Sequence, residues 1–212
     1  MVKIKDELDN LTGTIGNLIY YQRNGKTYVR TKPVTYRDAK TEKQVLARGR
    51  FAGCNRFYDL LRSDLFRRIW KVAAEGTGKN AKNLFVQHNI YAFGKEKEVI
   101  DYSRLKFSTG LLPLPNNLFM EIYNNRDCIL RWEFNDPVAI GFPTDRLYIV
   151  ELKENFQPRI HETKVCRSAC KAEFSTSEDM DEKTHLYCFW GSEQGTSFSE
   201  TYCFEKIDMA GS

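Results

Sequence analysis

The amino-acid sequence predicts an α+β protein in which an N-terminal β-hairpin with two or three helices precedes an immunoglobulin/fibronectin III-like antiparallel β-sandwich. Asn24-Gly25 separates two short alternating segments, which is the strongest short hairpin signal because a type I′ turn needs positive φ at both positions. Helical apolar spacing follows between residues 41 and 93. From residue 118 onward, short apolar segments alternate with turn clusters, a pattern typical of a sandwich.

The hairpin prediction covers "TIGNLIYYQ" and "KTYVRT", with Pro33 ending the ladder of the second strand. Gly13 and Gly16 are expected to let the chain bend into the first strand. The segment has neither a G-x-G-x-x-G pattern nor a complete phosphate loop ending in GK[ST]. It is therefore interpreted as a hairpin and not as a phosphate-binding loop.

Three helices are predicted next. "TEKQ" forms a capping box with Thr41 at the N-cap and Gln44 at the third helical position, and this helix is expected to end near Leu61. A second helix follows Ser63 and ends before Gly76. A third is predicted for residues 80–93.

Gly49 and Gly53 lie on the apolar face of the first predicted helix. Glycines at such positions permit a close approach of another backbone segment. We therefore assign them a packing role.

The second half of the chain is predicted to be β-rich. Residues 99–117 are interpreted as a strand, a turn and a proline-bearing linker. The strand segments that follow are "LFMEIY", "CILRWEF", "DRLYIVELK", "ETKVCRSACKAEF", "HLYCFWG" and "FSETYCFEKI". We predict two modules, residues 1–110 and residues 111–212.

The charge distribution is asymmetric. Residues 1–106 carry 22 Lys and Arg against 11 Asp and Glu, whereas residues 107–212 carry 10 against 17. A basic half joined to an acidic half favours contacts with polyanions or with other copies of the chain. Unrelated differences in charge between two modules are the simpler alternative.

The start "MVKIKDELDN" is charged and has no apolar h-region, so no signal peptide is predicted. No apolar segment approaches the length of a membrane span. We expect a protein that is cytoplasmic when made, with incorporation into a virion or another assembly as a further option. Its six cysteines are accordingly expected to be free thiols.

The sequence does not predict a metal site. Zinc-type ligands recur in the second half of the chain, at His161, Cys166, Cys170, His185 and Cys188. On one extended strand, Cys166 and Cys170 would lie about 13 Å apart, too far for one ion or for a disulfide. We predict core cysteines and no cofactor; a disulfide between Cys188 and Cys203 across the last hairpin is left open.

No catalytic constellation is recognised, so an enzyme is not predicted. A G-x-S-x-G elbow is absent from the sequence. The acidic segment "SEDMDEK" lacks the spacing of a calcium loop, and we interpret it as a solvated turn. Asp136 and Asp145 flank a loop, but nothing in the sequence indicates a raised pKa for either. An enzyme with a site at the module junction remains the least favoured alternative.

A basic contact surface is the best functional candidate. Residues 37–71 carry ten Lys and Arg against four acids, but at helical spacing these cations scatter around the axis, unlike those of a groove-reading helix. Tyr20, Tyr21 and Tyr28 on the hairpin are candidates for stacking on bases. The candidate binding residues are Arg23, Lys26, Arg30, Lys32, Arg48, Arg67 and Arg68.

Short motifs resemble an uncharacterised bacterial family of similar length. They are Gly13 and Gly16 before a strand, "GKTYVRTKP", "TEKQVLARGRF" with Gln44, Arg48 and Phe51, "IDYSRLKFSTG", a strand with Trp132, and "TDRLYIV". The family's usual proline before the helix is missing from "YRDAKT". The resemblance implies a shared fold and carries over no activity or catalytic residue.

The expected function is a non-enzymatic interaction or assembly protein with a protein partner or a second copy. A sandwich joined to a small α/β module is similar in style to accessory proteins of phages and other mobile elements. The alternative is a nucleic-acid-associated protein that uses the basic N-terminal half. No membrane partner is expected.

Overall fold

The computed structural model describes residues 2–3, 11–35, 38–61, 63–134, 142–154, 157–181, 183–204 and 208–209. In these residues the chain forms twelve β-strands in three sheets and three α-helices, which confirms the α+β class. The chain divides into two units, residues 1–41 and residues 42–212. Among the helices in these ranges, none combines the length and apolar character that crossing a membrane requires.

The N-terminal unit is a four-stranded antiparallel sheet with the order β1-β4-β3-β2. Its strands are β1 (Val2–Lys3), β2 (Gly13–Ile15), β3 (Leu18–Arg23) and β4 (Lys26–Thr31). The predicted turn joins β3 to β4, with φ of 52° at Asn24 and 67° at Gly25. Both residues occupy the left-handed region, as a type I′ turn requires, so the hairpin prediction is confirmed.

The prediction of one continuous strand before the Asn24–Gly25 turn is wrong. Residues 14–22 form two strands, β2 and β3, which pair from Ile15 opposite Leu18. Gly16 has a φ of 56° and begins a two-residue loop with Asn17. A Gly-Asn pair is itself a hairpin signal, so the N-terminal sheet contains a second tight turn.

The second unit begins with three helices, α1 (Glu42–Leu60), α2 (Asp64–Ala74) and α3 (Ala81–Asn89). Their positions confirm the predicted helices. The Ser63 hydroxyl caps α2 by accepting a hydrogen bond from the Phe66 N–H at 3.2 Å. Gly76, with a φ of 74°, follows the end of α2 and fills the C′ position that favours glycine.

The strand predicted within residues 99–110 is not formed. Tyr102–Arg104 is instead a 3₁₀ turn, organised by Asp101, whose carboxylate accepts a hydrogen bond from the Ser103 hydroxyl at 2.6 Å and contacts Arg104 Nε at 2.8 Å. The buried side chain of Asn89 bonds the backbone N–H and C=O of Lys106. Local side-chain bonds therefore take the place of a sheet ladder here.

Two four-stranded sheets follow in the second unit. The outer sheet has the order β12-β5-β6-β9 and contains β5 (Asn116–Tyr123), β6 (Asp127–Glu133), β9 (Lys171–Ser175) and β12 (Asp208–Met209). The central sheet has the order β11-β10-β7-β8 and contains β7 (Arg146–Lys153), β8 (Arg159–Cys166), β10 (Thr184–Gly191) and β11 (Tyr202–Cys203). All pairs are antiparallel except β12 with β5.

The central sheet is buried on both faces along β7 and β10. Leu147 and Ile149 of β7 belong to the apolar cluster shared with the outer sheet, whereas Val150 and Leu152 belong to the cluster shared with the helices. Burial of both faces explains the near-continuous apolar sequence "HLYCFWG" in β10. The helices therefore share a hydrophobic core with β7 and β10 across the predicted module boundary after residue 110.

Aromatic contacts fill both clusters. Between the two sheets, the rings of Trp132 and Trp190 meet edge to face with centroids 5.5 Å apart. On the helix side, Phe107 contacts Tyr187 at 4.8 Å and Trp70 contacts Phe85 at 5.0 Å. Edge-to-face pairs of this kind add to the stabilisation that burial itself gives.

The predicted strand "ETKVCRSACKAEF" is interrupted. Residues Arg167–Ala169 form a 3₁₀ turn, and Cys170 has a φ of 56°, so the chain leaves the central sheet after Cys166 and enters the outer sheet at Lys171. The reason is the burial of Arg167, whose Nε lies 3.3 Å from Asp145 Oδ2 and whose Nη2 donates to the Pro113 carbonyl at 2.8 Å. A straight strand would not place this guanidinium there.

The backbone of the turn is fixed as well. The Trp132 indole N–H donates to the Arg167 carbonyl at 2.7 Å, and the Arg167 guanidinium lies over the Trp190 ring at 5.6 Å. Burial raises the pKa of the Asp145 carboxyl, against the opposing effects of the Phe142 N–H and Arg167. This cost of desolvation means that the pair holds the crossing in place more than it adds net stability.

We expect Asp145→Ala and Arg167→Met each to lower the free energy of unfolding by about 3 kcal/mol or more, because each leaves a buried charge without its partner. The double variant should lose less than the sum of the two, since the second change removes the orphaned charge. Urea denaturation of the four proteins measures this coupling. Strictly additive losses would show that the two side chains do not act as a pair.

Gly49 and Gly53 have the predicted packing role. A Cβ atom at Gly49 would lie 2.0 Å from the Lys95 carbonyl oxygen, and one at Gly53 would lie 2.6 Å from that of Lys97. Both neighbours are backbone atoms, which cannot rotate away. The two glycines therefore let residues 95–97 lie directly against α1.

Gly49→Ala and Gly53→Ala are expected to destabilise the protein by about 1–3 kcal/mol through overpacking, although alanine improves helix propensity by about 1 kcal/mol. Lys43→Ala, at an exposed position in the first turn of the same helix, is the control and should change stability by less than about 0.5 kcal/mol. Thermal unfolding compares the three. A stabilised Gly49→Ala protein would contradict the packing role.

Candidate functional site

Four of the predicted binding residues lie in the N-terminal unit, and three of them, Arg23, Lys26 and Arg30, lie on its sheet. In the register of β3 and β4, Arg23 pairs with Lys26, Tyr21 with Tyr28 and Ile19 with Arg30. Directly opposed residues of an antiparallel pair share one face. These six side chains therefore form one surface, which we call the basic face.

The cations of the basic face are accessible. Arg23, Lys26 and Arg30 are exposed, whereas Tyr21 and Tyr28 between them are half-buried. Lys32 is also exposed, one residue beyond the end of β4, where its backbone N–H donates to the Asn17 carbonyl at 2.7 Å. The structure thus brings three of the predicted cations onto one face and places Lys32 just past its edge.

The two tyrosines of the basic face contact each other. Their ring centroids lie 5.6 Å apart with an interplanar angle of 21°. Tyr20, the third predicted stacking residue, pairs with Val29 and lies on the opposite face. A two-residue turn fixes this register, so the Asn-Gly signal would have allowed the Tyr21–Tyr28 pair to be identified from the sequence.

The remaining predicted cations lie on the helices of the second unit, where they do not form one cluster. Arg48 is an exposed residue of α1, and Arg67 and Arg68 are exposed residues of α2. Arg68 donates a hydrogen bond to the Gln194 carbonyl, whereas Arg67 acts electrostatically on Tyr58. Consecutive positions on α2 thus direct these two cations to different neighbours.

A buried polar cluster that the sequence did not reveal contains Glu151, His161 and Ser177. Glu151, on β7, is only 6% exposed. Its carboxylate lies 2.9 Å from His161 Nε2 and accepts hydrogen bonds from the Ser177 N–H, at 3.0 Å, and from the Ser177 hydroxyl. Since Ser177 follows β9, the cluster links the central sheet to the outer sheet.

The order of these groups differs from that of a catalytic triad. In a triad the histidine lies between the nucleophile and the carboxylate, so that it can take the nucleophile's proton. Here Glu151 lies between Ser177 and His161. Burial alone would raise the pKa of Glu151, but the hydrogen bonds from His161 and Ser177 outweigh it and lower the pKa from 4.5 to about 2. A carboxylate so readily ionised is a structural acceptor and a poor general base.

An open groove of about 550 Å³ lies between α1, the 93–102 segment and the end of β7. Its polar lining carries both signs of charge, with Arg56, Lys97, Glu96, Glu98 and Glu154. His88 packs against the Trp70 ring at 5.9 Å and is not among the residues that line the groove.

His185 lies near this groove on the helix-facing side of β10, the side that also carries Tyr187 and Phe189. Its ring stacks on Tyr102 with centroids 4.1 Å apart and an interplanar angle of 7°. Burial lowers its pKa, which the Glu154 carboxylate opposes. A neutral imidazole stacked on a tyrosine is consistent with a packing role.

The cysteines are free thiols, as predicted. Burial raises the pKa of Cys54 and Cys128 to about 12 and that of Cys188 well above its ordinary value, so these thiols are poor nucleophiles. Cys188 pairs with Tyr202 across the β10–β11 ladder, and Cys203 pairs with Tyr187, so the two cysteines considered for a disulfide are not opposed.

The acidic segments have ordinary contacts. In the residues that the structure describes, no three His, Cys, Asp or Glu side chains are grouped to hold a metal ion. Glu178 and Asp181 of the predicted solvated turn are exposed and contact Lys153 Nζ at 3.0 and 3.3 Å. Asp136 lies outside the described residues.

We expect acid to weaken the fold through Glu151. Because its folded pKa of about 2 lies below the unfolded value of 4.5, the stabilisation is fully present above pH 4.5 and is lost as the pH falls toward 2. Its size is about 3 kcal/mol. Chemical denaturation across this pH range should show that Glu151→Gln lacks this component.

At neutral pH, Glu151→Gln should also destabilise the protein, because the amide NH₂ of glutamine would face donors from Ser177 or His161. Glu162→Gln, at an exposed position beside His161, is the matched control and should keep the wild-type pH dependence. If the Glu151→Gln protein lost as much unfolding free energy between pH 4.5 and pH 2 as the wild type does, this role of the carboxylate would be refuted.

Comparison with known proteins places the chain in a family. Residues 10–203 match the family of unknown function DUF6266, and the chain therefore belongs to that family. The expectation of a family without an assigned activity is confirmed to this extent. No curated protein and no solved structure matches the chain.

Proposed function

We propose that this member of a family of unknown function is a non-enzymatic interaction or assembly protein that binds an anionic partner through the basic face of its N-terminal sheet. The observation that carries the proposal is the β3–β4 register, which places Arg23, Lys26 and Arg30 on one face. A scattered distribution of the same cations would not create a directed surface. Aligned exposed cations attract an anionic partner over a distance and favour one orientation of it.

Local charge supports the proposal. Residues 11–35 contain four Lys and Arg and no Asp or Glu. No acid within this sequence segment offsets these four positive charges, which favours the attraction of an external anion. The net charge of residues 107–212 is negative, so a second copy of the chain is one source of anionic surface.

The polar cluster around Glu151 supports a non-enzymatic role. Its serine and histidine both bond the same carboxylate, so the histidine is not positioned to take the proton of this serine. The cluster instead joins two sheets of the sandwich. Hydrogen bonds that join two sheets in this way are expected of a structural role.

The strand order supports an immunoglobulin/fibronectin III-like sandwich as the structural scaffold. Lettered in chain order as A, B, C, C′, E, F and G, strands β5 to β11 place A, B and E in the outer sheet and C′, C, F and G in the central sheet. Sandwiches of this kind present loops and edge strands to partners.

The test measures binding of fluorescently labelled polyglutamate, single-stranded DNA and duplex DNA at low and high ionic strength, together with light scattering of the protein alone. The wild type should bind at least one anionic polymer or self-associate at low ionic strength. This binding or self-association should disappear at high ionic strength. The triple variant Arg23→Gln, Lys26→Gln, Arg30→Gln should weaken that interaction about tenfold or more.

The matched control is Lys71→Gln, Lys95→Gln, Lys164→Gln, which removes the same charge from exposed positions of the second unit. It should behave as the wild type. A protein that neither binds any of the polymers nor self-associates at low ionic strength would overturn the proposal, as would equal weakening in the two triple variants.

A further inference from the structure

We infer that the anionic partner is single-stranded nucleic acid, held with bases against Tyr21 and Tyr28 and with backbone phosphates at Arg23, Lys26 and Arg30. This inference rests on the proposed function and names the partner of the same surface. It depends on the position of the aromatic pair among the cations. A surface that recognised charge alone would not require an aromatic pair between its cations.

The geometry matches an alternation of phosphate and base. Along a strand, residues on one face are spaced by about 7 Å, so Arg23 and Lys26 lie one step from the tyrosine pair on one side and Arg30 lies one step away on the other. The surface is therefore basic, aromatic and basic in turn. Single strands are bound in this way, with aromatic rings under the bases and cations along the backbone.

The tyrosines are suited to hold a base. Their rings contact each other in a stacked arrangement, and both remain partly accessible within the face. Base–aromatic stacking tolerates any base, because every base has a π face. The surface should accordingly bind single strands with little sequence preference.

Other anions fit this surface less well. An acidic peptide would satisfy the three cations but has no bases to stack on the tyrosine pair. Duplex DNA keeps the π faces of its bases stacked on one another inside the helix, so the two tyrosines cannot stack on them without unstacking the duplex. RNA and single-stranded DNA share the required chemistry, and both are included in the test.

The experiment is fluorescence anisotropy of the full chain with labelled oligo-dT, oligo-U, an abasic oligonucleotide of the same length, a duplex, polyphosphate and polyglutamate at low ionic strength. We expect both single strands to bind about tenfold or more tightly than the abasic strand, because the loss of stacking removes a large part of the affinity. The relative affinities of oligo-dT and oligo-U distinguish DNA from RNA.

The variant Tyr21→Leu, Tyr28→Leu keeps apolar side chains in the face and removes the π surfaces. It should weaken single-strand binding about tenfold or more and leave polyphosphate binding unchanged. Tyr20→Leu, on the opposite face, is the matched control and should bind as the wild type. Since the abasic comparison uses the unaltered protein, it decides the question even where the double variant does not fold.

The inference is overturned if abasic strand, duplex, polyphosphate or polyglutamate binds as tightly as the single strands, or if a folded double variant binds them as the wild type does. In those outcomes an anionic partner is still bound and the proposed function stands. Absence of binding to every anionic polymer, without self-association, removes the inference and the proposed function together.

Discussion

The second unit depends on one constraint, the burial of both faces of β7 and β10. A strand buried on both sides must be apolar at almost every position, and it must have a layer on each side. The helices form one layer and the outer sheet forms the other. The glycines of α1, the 3₁₀ turn at Tyr102–Arg104 and the aromatic clusters allow a short chain to pack closely over β7 and β10.

Two buried polar clusters lie within this apolar core, one at each end of β7. Asp145, immediately before the strand, pairs with Arg167 at the crossing between sheets, and Glu151, near its end, accepts hydrogen bonds from His161 and Ser177. Each cluster joins the central sheet to the outer sheet. These directional bonds at both ends of β7 add to the apolar packing in fixing the relative position of the two sheets. Their burial therefore reflects a structural task, although titratable groups in such settings are often read as catalytic.

The sequence predicted elements whose signals are local. The Asn24–Gly25 turn, the three helices and most strands follow from turn chemistry, capping and periodicity over a few residues. The interruption at Arg167 could not be predicted, because its cause is an ion pair with Asp145, distant in the sequence. The same holds for Glu151, which reads as an ordinary polar residue in a strand. The cations of the basic face were predicted. The Asn24–Gly25 turn also fixes the register that aligns them with Tyr21 and Tyr28, but the prediction did not use it.

The turn at Asn24–Gly25 carries more information than its two residues indicate. Side chains alternate between faces along a strand, so a register shift of one residue exchanges the faces of the whole strand. One residue added to this turn could set Tyr20 instead of Tyr21 among the cations and carry Arg23 to the other side. The composition of the surface thus depends on two features of the sequence. One is the identity of the side chains in β3 and β4, and the other is the length of the turn between them, which itself contributes no side chain to the surface. In this chain the length of the turn therefore decides which side chains the surface presents, and the number of basic residues alone does not.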